Sequence, residues 1–170
     1  MSIYYRQMSV MTTIAQKRLS SELTSLLKKS DIPGNLPKSL DLHDLLGNKI
    51  LLVHVIREGL PYSIFHLIQE ASPFSIQEWS HFLDISAKSL QRYKAQKSRF
   101  KPIHSEKILE LAEVLEAGMT VFNDLGKLSQ WLSAENYALG KMKPMDLLND
   151  SYGKELVLSE LVRIDQGIFV

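Results

Sequence analysis

The sequence predicts an all-α fold, with a helix-turn-helix at its centre and a second helical region after it. Three observations point there. Apolar residues recur at helical spacing in segment after segment of the 170-residue chain. Serine or aspartate precedes many of these runs, and glycine or proline follows them, as helix starts and stops require. The stretch Ser75–Ala95, SIQEWSHFLDISAKSLQRYKA, is laid out as two short helices around a tight turn.

Taken in order, residues 1–13 carry Met1, Met8 and Met11 and read as a lead-in, with a later methionine a candidate true start. Ile14–Lys29 places Leu19, Leu23, Leu26 and Leu27 on one face, an amphipathic helix. Pro33, Gly34 and Pro37 make the following stretch a linker. Asp41–Glu58 reads as a helix stopped by Gly59 and Pro61, although the β-branched content of Ile50–Ile56 leaves a strand open there. Pro61 suits the first turn of Tyr62–Glu70, which Ser72 and Pro73 end. Ser105–Gly118 aligns Ile108, Leu111, Ala112 and Leu115, and Val121–Leu132 is expected to continue helically through Gly126. Ala134–Leu148, with Gly140 and Pro144, reads as irregular. Leu156, Leu161 and Ile164 mark a last helix that Gly167 breaks. The expected division is a helical arm and linker at 1–48, a helix-turn-helix domain at 49–120 and a helical domain at 121–170.

In the helix-turn-helix, Ser75 and Glu78 have capping-box spacing, and Ile76, Trp79, Phe82 and Leu83 share a face. Ser80 stands where a small residue must face the second helix. Asp84 stands where the turn demands positive φ, which aspartate tolerates better than most residues. Ile85, Leu90 and Tyr93 are expected inside. Ser86 caps the second helix, and Lys88, Gln91 and Arg92 then face outward, positioned to read bases in a major groove. Lys94, Lys97 and Arg99 follow as phosphate contacts. Net charge is only +1, yet Lys88–His104 holds six basic residues and no acidic one.

No catalytic or metal-binding residue emerges. The five histidines, His43, His54, His66, His81 and His104, show no metal-ligand spacing. His54 and His66 sit among apolar residues, as core or boundary positions. Asp146 and Asp150 read as helix caps rather than as a carboxylate pair. A P-loop and a dinucleotide fingerprint are both lacking, so no enzymatic activity and no cofactor are expected. With no cysteine and no leader or membrane-spanning run, a cytoplasmic protein without membrane contact is expected.

The most specific signal lies downstream. Phe122-Asn123-Asp124, Trp131-Leu132, Asn136-Tyr137-Ala138-Leu139-Gly140, Pro144-Met145-Asp146-Leu147-Leu148, Gly153 and Arg163-Ile164-Asp165-Gln166-Gly167-Ile168-Phe169-Val170 follow one another in a fixed order. In that order and spacing, Lys49–Val170 resembles the Xre/MbcA/ParS-type antitoxins, with LDISAKSLQRYK as the matching helix-turn-helix. Lys141 and Lys143 depart from a loop that is often glycine-rich, and Asp165-Gln166 replaces a commoner acid-histidine pair. The resemblance implies an Xre-like DNA-binding domain, a toxin-binding domain at 121–170, a RES-domain toxin that consumes NAD as partner, and repression of its own operon through operator DNA. It also implies toxin contacts by Trp131, Asn136, Leu139, Gly140, Arg163, Ile164, Gly167, Ile168, Phe169 and Val170, the tail occluding the toxin's active site. An aromatic residue near a chain end suits such a cleft. Trp131 and Leu139, and Ile164 and Phe169 of the tail, also fit packing within the protein's own core. A homodimer is expected, because helix-turn-helix proteins pair to reach two half-sites; Ile14–Leu27 and Leu111–Val121 are candidate pairing surfaces. The rival readings are an ordinary helix-turn-helix regulator whose C-terminal region dimerises or senses a ligand, and a helical adaptor without DNA binding.

Overall fold

Side-chain caps open most of the helices. The computed structural model describes residues 13–28 and 40–168, and every regular element among them is helical. Helix α1 (Thr13–Lys28) buries Leu19, Leu23, Leu26 and Leu27 and packs on α4 (Tyr62–Glu70). The apolar stripe of α1 is therefore consumed within the chain's own core, which removes it as a pairing surface. Leu111, Val114, Leu115 and Met119 are buried in the same way, so the second candidate surface is consumed too.

The segment read as one helix, Asp41–Glu58, is two, α2 (Leu42–Gly47) and α3 (Lys49–Glu58). Asn48 separates them in an extended conformation, and its side-chain oxygen accepts from the Ile50 and Leu51 amides at 3.1 and 3.2 Å. That cap starts a new helix where the apolar pattern alone ran straight through. The strand alternative for Ile50–Ile56 is not adopted. Leu51, Leu52 and Val55 are buried while Ile50 and Val53 are exposed, a helical period rather than an alternating one.

Helices α5 (Ile76–Phe82) and α6 (Ala87–Gln96) form the helix-turn-helix. Helix α7 (Pro102–Phe122) starts earlier than expected because Pro102 is tolerated in a first turn. It stops at Asn123, which has φ 48°, so the expected continuous run Val121–Leu132 is interrupted. Asp124 then caps α8 (Leu125–Ser133), accepting from the Lys127 amide at 2.7 Å. The stretch expected to be irregular holds a 3-10 turn (Tyr137–Leu139) and a short α9 (Pro144–Leu147) before α10 (Ser151–Asp165). Asp150 caps α10 through the Gly153 amide at 2.8 Å, in keeping with its reading as a cap.

The described residues up to Leu109 form one compact unit, and those from Glu110 onward form another. The first has an aromatic core. Phe65 lies 5.1 Å from Trp79 and 5.0 Å from Phe100, both edge-on, and Phe74 meets Trp79 at 5.7 Å and Phe82 at 5.2 Å. Edge-to-face pairs of this kind add stability beyond the area they bury. The Trp79 indole nitrogen donates to the Ser72 hydroxyl at 3.1 Å. Ser105 is fully buried and fully used: its hydroxyl accepts from the Leu60 amide at 2.8 Å and donates to the Lys101 carbonyl at 3.0 Å.

The second unit is closed by close helix approach. A β-carbon at Gly153 would lie 2.0 Å from the Leu147 carbonyl oxygen, so α10 meets α9 at a bare backbone. Lys154, half-buried, reaches Glu113 at 3.1 Å and Glu110 at 4.0 Å, tying α10 to the second half of α7.

Candidate functional site

The turn of the helix-turn-helix is a Schellman motif. Asp84 has φ 49°, its amide donates to the His81 carbonyl at 3.1 Å, and the Ile85 amide donates to the Ser80 carbonyl at 3.1 Å. Asp84 thus occupies the positive-φ position expected of it. The Ser80 hydroxyl is buried with no partner among the described residues, the cost of serine where a smaller apolar residue fits. Leu90 is buried, and half-buried Tyr93 stacks on Phe100 at 4.3 Å, which holds α6 down.

Ser86 caps α6, accepting from the Ser89 amide at 3.1 Å. Lys88, Gln91, Arg92 and Ala95 are all exposed and share one face at spacings of three and four. Lys94 and Lys97 are exposed beside them; Lys97 ends α6 with φ 47°. Arg99 is drawn elsewhere. Its guanidinium donates to the carbonyls of Gly59 at 3.4 Å and Glu58 at 3.5 Å, with the Glu58 carboxylate at 3.8 Å, closing the end of α3. The structure therefore brings Ser86, Lys88, Gln91, Arg92, Lys94 and Lys97 together on or beside one helix and gives Arg99 a framework partner.

The histidines are dispersed. Half-buried His66 stacks on Tyr62 at 6.0 Å, with its Nε2 3.4 Å from Glu70. Burial holds the His104 imidazole below its ordinary range, and the Lys101 cation adds to this, against a hydrogen bond with the Leu83 backbone and the Asp84 charge. Burial raises the Tyr62 phenol. Among the described residues, no group of three or more His, Asp or Glu side chains is arranged to hold a metal. No helix among them is long and apolar enough to cross a membrane.

In the second unit, half-buried Trp131 packs on Phe122 at 5.7 Å, and Leu139 is buried. Both belong to the domain's own packing. The Asn136 side chain accepts from the Ala138 amide at 2.9 Å and caps the 3-10 turn. Gly140 (φ 68°) and Lys141 (φ 64°) make a tight primed turn, so the lysine in the expected glycine-rich loop sits in a left-handed conformation. Half-buried Arg163 pairs with Glu160 at 3.4 Å, and Ile164 is half-buried. Gly167 (φ 72°) donates to the Ile164 carbonyl and Ile168 to the Arg163 carbonyl, both at 2.9 Å, a second Schellman motif that leaves Ile168 exposed. Phe169 and Val170 lie outside the described residues.

Residues 51–113 match the family model of the antitoxin Xre-like helix-turn-helix domain, and residues 117–167 that of the antitoxin Xre/MbcA/ParS C-terminal toxin-binding domain. An Antitoxin Xre of Photorhabdus laumondii is 29% identical over 115 residues, covering 67% of this chain and 78% of that protein. An Antitoxin Xre of Yersinia enterocolitica is 28% identical over 120 residues, covering 70% and 81%. Among solved structures, a chain of the M. tuberculosis MbcT–MbcA toxin–antitoxin complex is similar with a TM-score of 0.54 at 25% identity, covering 64% of this chain and 96% of that one. With a helix-turn-helix of the expected geometry and both domain matches in tandem, the chain belongs to the Xre/MbcA/ParS family of antitoxins and binds a toxin through its C-terminal domain.

Proposed function

We propose that this antitoxin neutralises a RES-type, NAD-consuming toxin by placing its C-terminal segment, Arg163–Val170, in the toxin's active site, and that its helix-turn-helix binds operator DNA as a homodimer to repress its own operon. The role is stoichiometric and needs no cofactor. The observation that carries the toxin half is the Schellman turn at Gly167. It stops α10 and leaves Ile168 exposed, with Phe169 and Val170 next in the sequence. A short apolar segment on a rigid helix end is ordered at little entropic cost when it enters a cleft. Deleting Gly167–Val170 is expected to abolish protection when toxin and antitoxin are co-expressed, while the C-terminal unit keeps its fold. Undiminished protection by the truncated chain would overturn the occlusion.

The DNA half is supported by the shared exposed face of Lys88, Gln91 and Arg92, flanked by Lys94 and Lys97. A bidentate base contact is worth about 1–3 kcal/mol. Changing Lys88 and Arg92 together to alanine is therefore expected to weaken binding to the chain's own promoter at least roughly thirty-fold. A gel shift at fixed salt reads this directly; an unchanged shift would leave the helix-turn-helix without a DNA role.

A further inference from the structure

Among the described residues, ten large hydrophobic side chains are exposed; five of them (Tyr137, Met142, Tyr152, Leu156 and Val162) fall in the matched toxin-binding domain, and Ile168 follows it directly. Three lie on α10. At 100° per residue, Tyr152, Glu155, Leu156, Ser159, Val162 and Gln166 fall within an arc of about 120°. Gly153, Val157 and Leu161, all buried, occupy the opposite side. Tyr152 is 83% exposed, Leu156 50% and Val162 51%. Leu156 and Leu161 do not share a face. The five-residue gap sets Leu156 well over a quarter turn away, and Val157 takes the inward position.

We infer that this outer row of α10 is the surface that grips the toxin. The partner's identity rests on the function proposed above. An apolar row on one face of a rigid helix is the arrangement by which helices dock in a partner's groove, and tyrosine is enriched among residues that dominate binding. Ile168, 49% exposed, follows three residues past the end of α10. Its polar members are Glu155, Ser159 and Gln166, with Asp165 exposed alongside and Arg163 paired to Glu160, so it has no free cationic character for DNA. Binding and inhibition are then separable: α10 holds the toxin, and the tail blocks it.

The test measures the affinity of the full chain for the protein encoded in the adjoining reading frame. Tyr152→Ala with Leu156→Asp is expected to weaken binding at least about thirty-fold with an unchanged melting temperature, because both positions face solvent. Ile50→Asp, an equally exposed apolar site in the other unit, is expected to leave affinity within about twofold. Deleting Gly167–Val170 is expected to relieve inhibition while measurable binding persists. A double variant that binds as tightly as the parent, with binding lost on tail deletion, overturns the inference and leaves the proposed function standing. A double variant that turns a dimer into a monomer without changing toxin affinity overturns it too, giving the row to a second copy. A parent chain that binds no toxin overturns the proposed function, and this inference with it.

Discussion

Alanine at Gly153 is expected to unfold or loosen the C-terminal unit. In an ordinary helix interior, glycine to alanine stabilises by about 1 kcal/mol. Here the new β-carbon would meet the Leu147 carbonyl oxygen at 2.0 Å, its carbon at 2.8 Å and the Leu147 α-carbon at 3.0 Å. All three are backbone atoms, so relief requires α9 and α10 to separate, and overpacking of this kind costs about 1–3 kcal/mol and sometimes more. The steric cost therefore exceeds the propensity gain. Circular dichroism melting of the variant should show an early transition, and toxin capture should fall while promoter binding persists. A melting temperature at or above the parent's would refute the close approach. Gly118 makes a useful contrast. A β-carbon there would meet only the Leu128 side chain, at 2.4 Å from Cδ1, and a rotamer change can relieve that.

Alanine at Trp79 should produce the other large loss, in the first unit. Trp79 is fully buried, edge-on to both Phe65 and Phe74, and its indole nitrogen holds the Ser72 hydroxyl. Truncating a buried tryptophan to alanine costs about 3–5 kcal/mol. A domain is stable by only about 5–15 kcal/mol in total, so a large share of that margin goes. Because Trp79 is on α5, the angle of the helix-turn-helix goes with it, and promoter binding is expected to disappear before toxin binding does. Ser72→Ala isolates the hydrogen bond and should cost only about 1 kcal/mol. If urea titration put Trp79→Ala within 1 kcal/mol or so of the parent, the aromatic core would not be what supports the motif.

Much of the helix-turn-helix was legible from residue types because its determinants are local. A serine three residues before Glu78, an aspartate able to hold positive φ at position 84, and a serine opening α6 each act on their own backbone neighbours. Local rules also misled at two boundaries. The apolar period runs unbroken through Asn48 and through Asn123, but each breaks a helix: Asn48 by capping the next with its side chain, Asn123 by adopting a left-handed conformation. Asparagine does both readily, and hydrophobic periodicity registers neither.

What the sequence determined by itself was the kind of protein: helical elements from apolar period and caps, the helix-turn-helix from its turn chemistry, and the antitoxin family from an ordered set of motifs ending in Arg163–Val170. What only the tertiary structure decided was what these side chains touch within the chain. Leu139 is buried, half-buried Trp131 packs on Phe122, Asn136 caps a turn, and Arg99 reaches the end of α3. Tyr152, Leu156 and Val162 are left facing outward. The reason is physical. A helix period fixes which residues share a face, but the face that turns inward is chosen by packing against other segments, here α9 at the bare backbone of Gly153 and the distant α7 at Lys154.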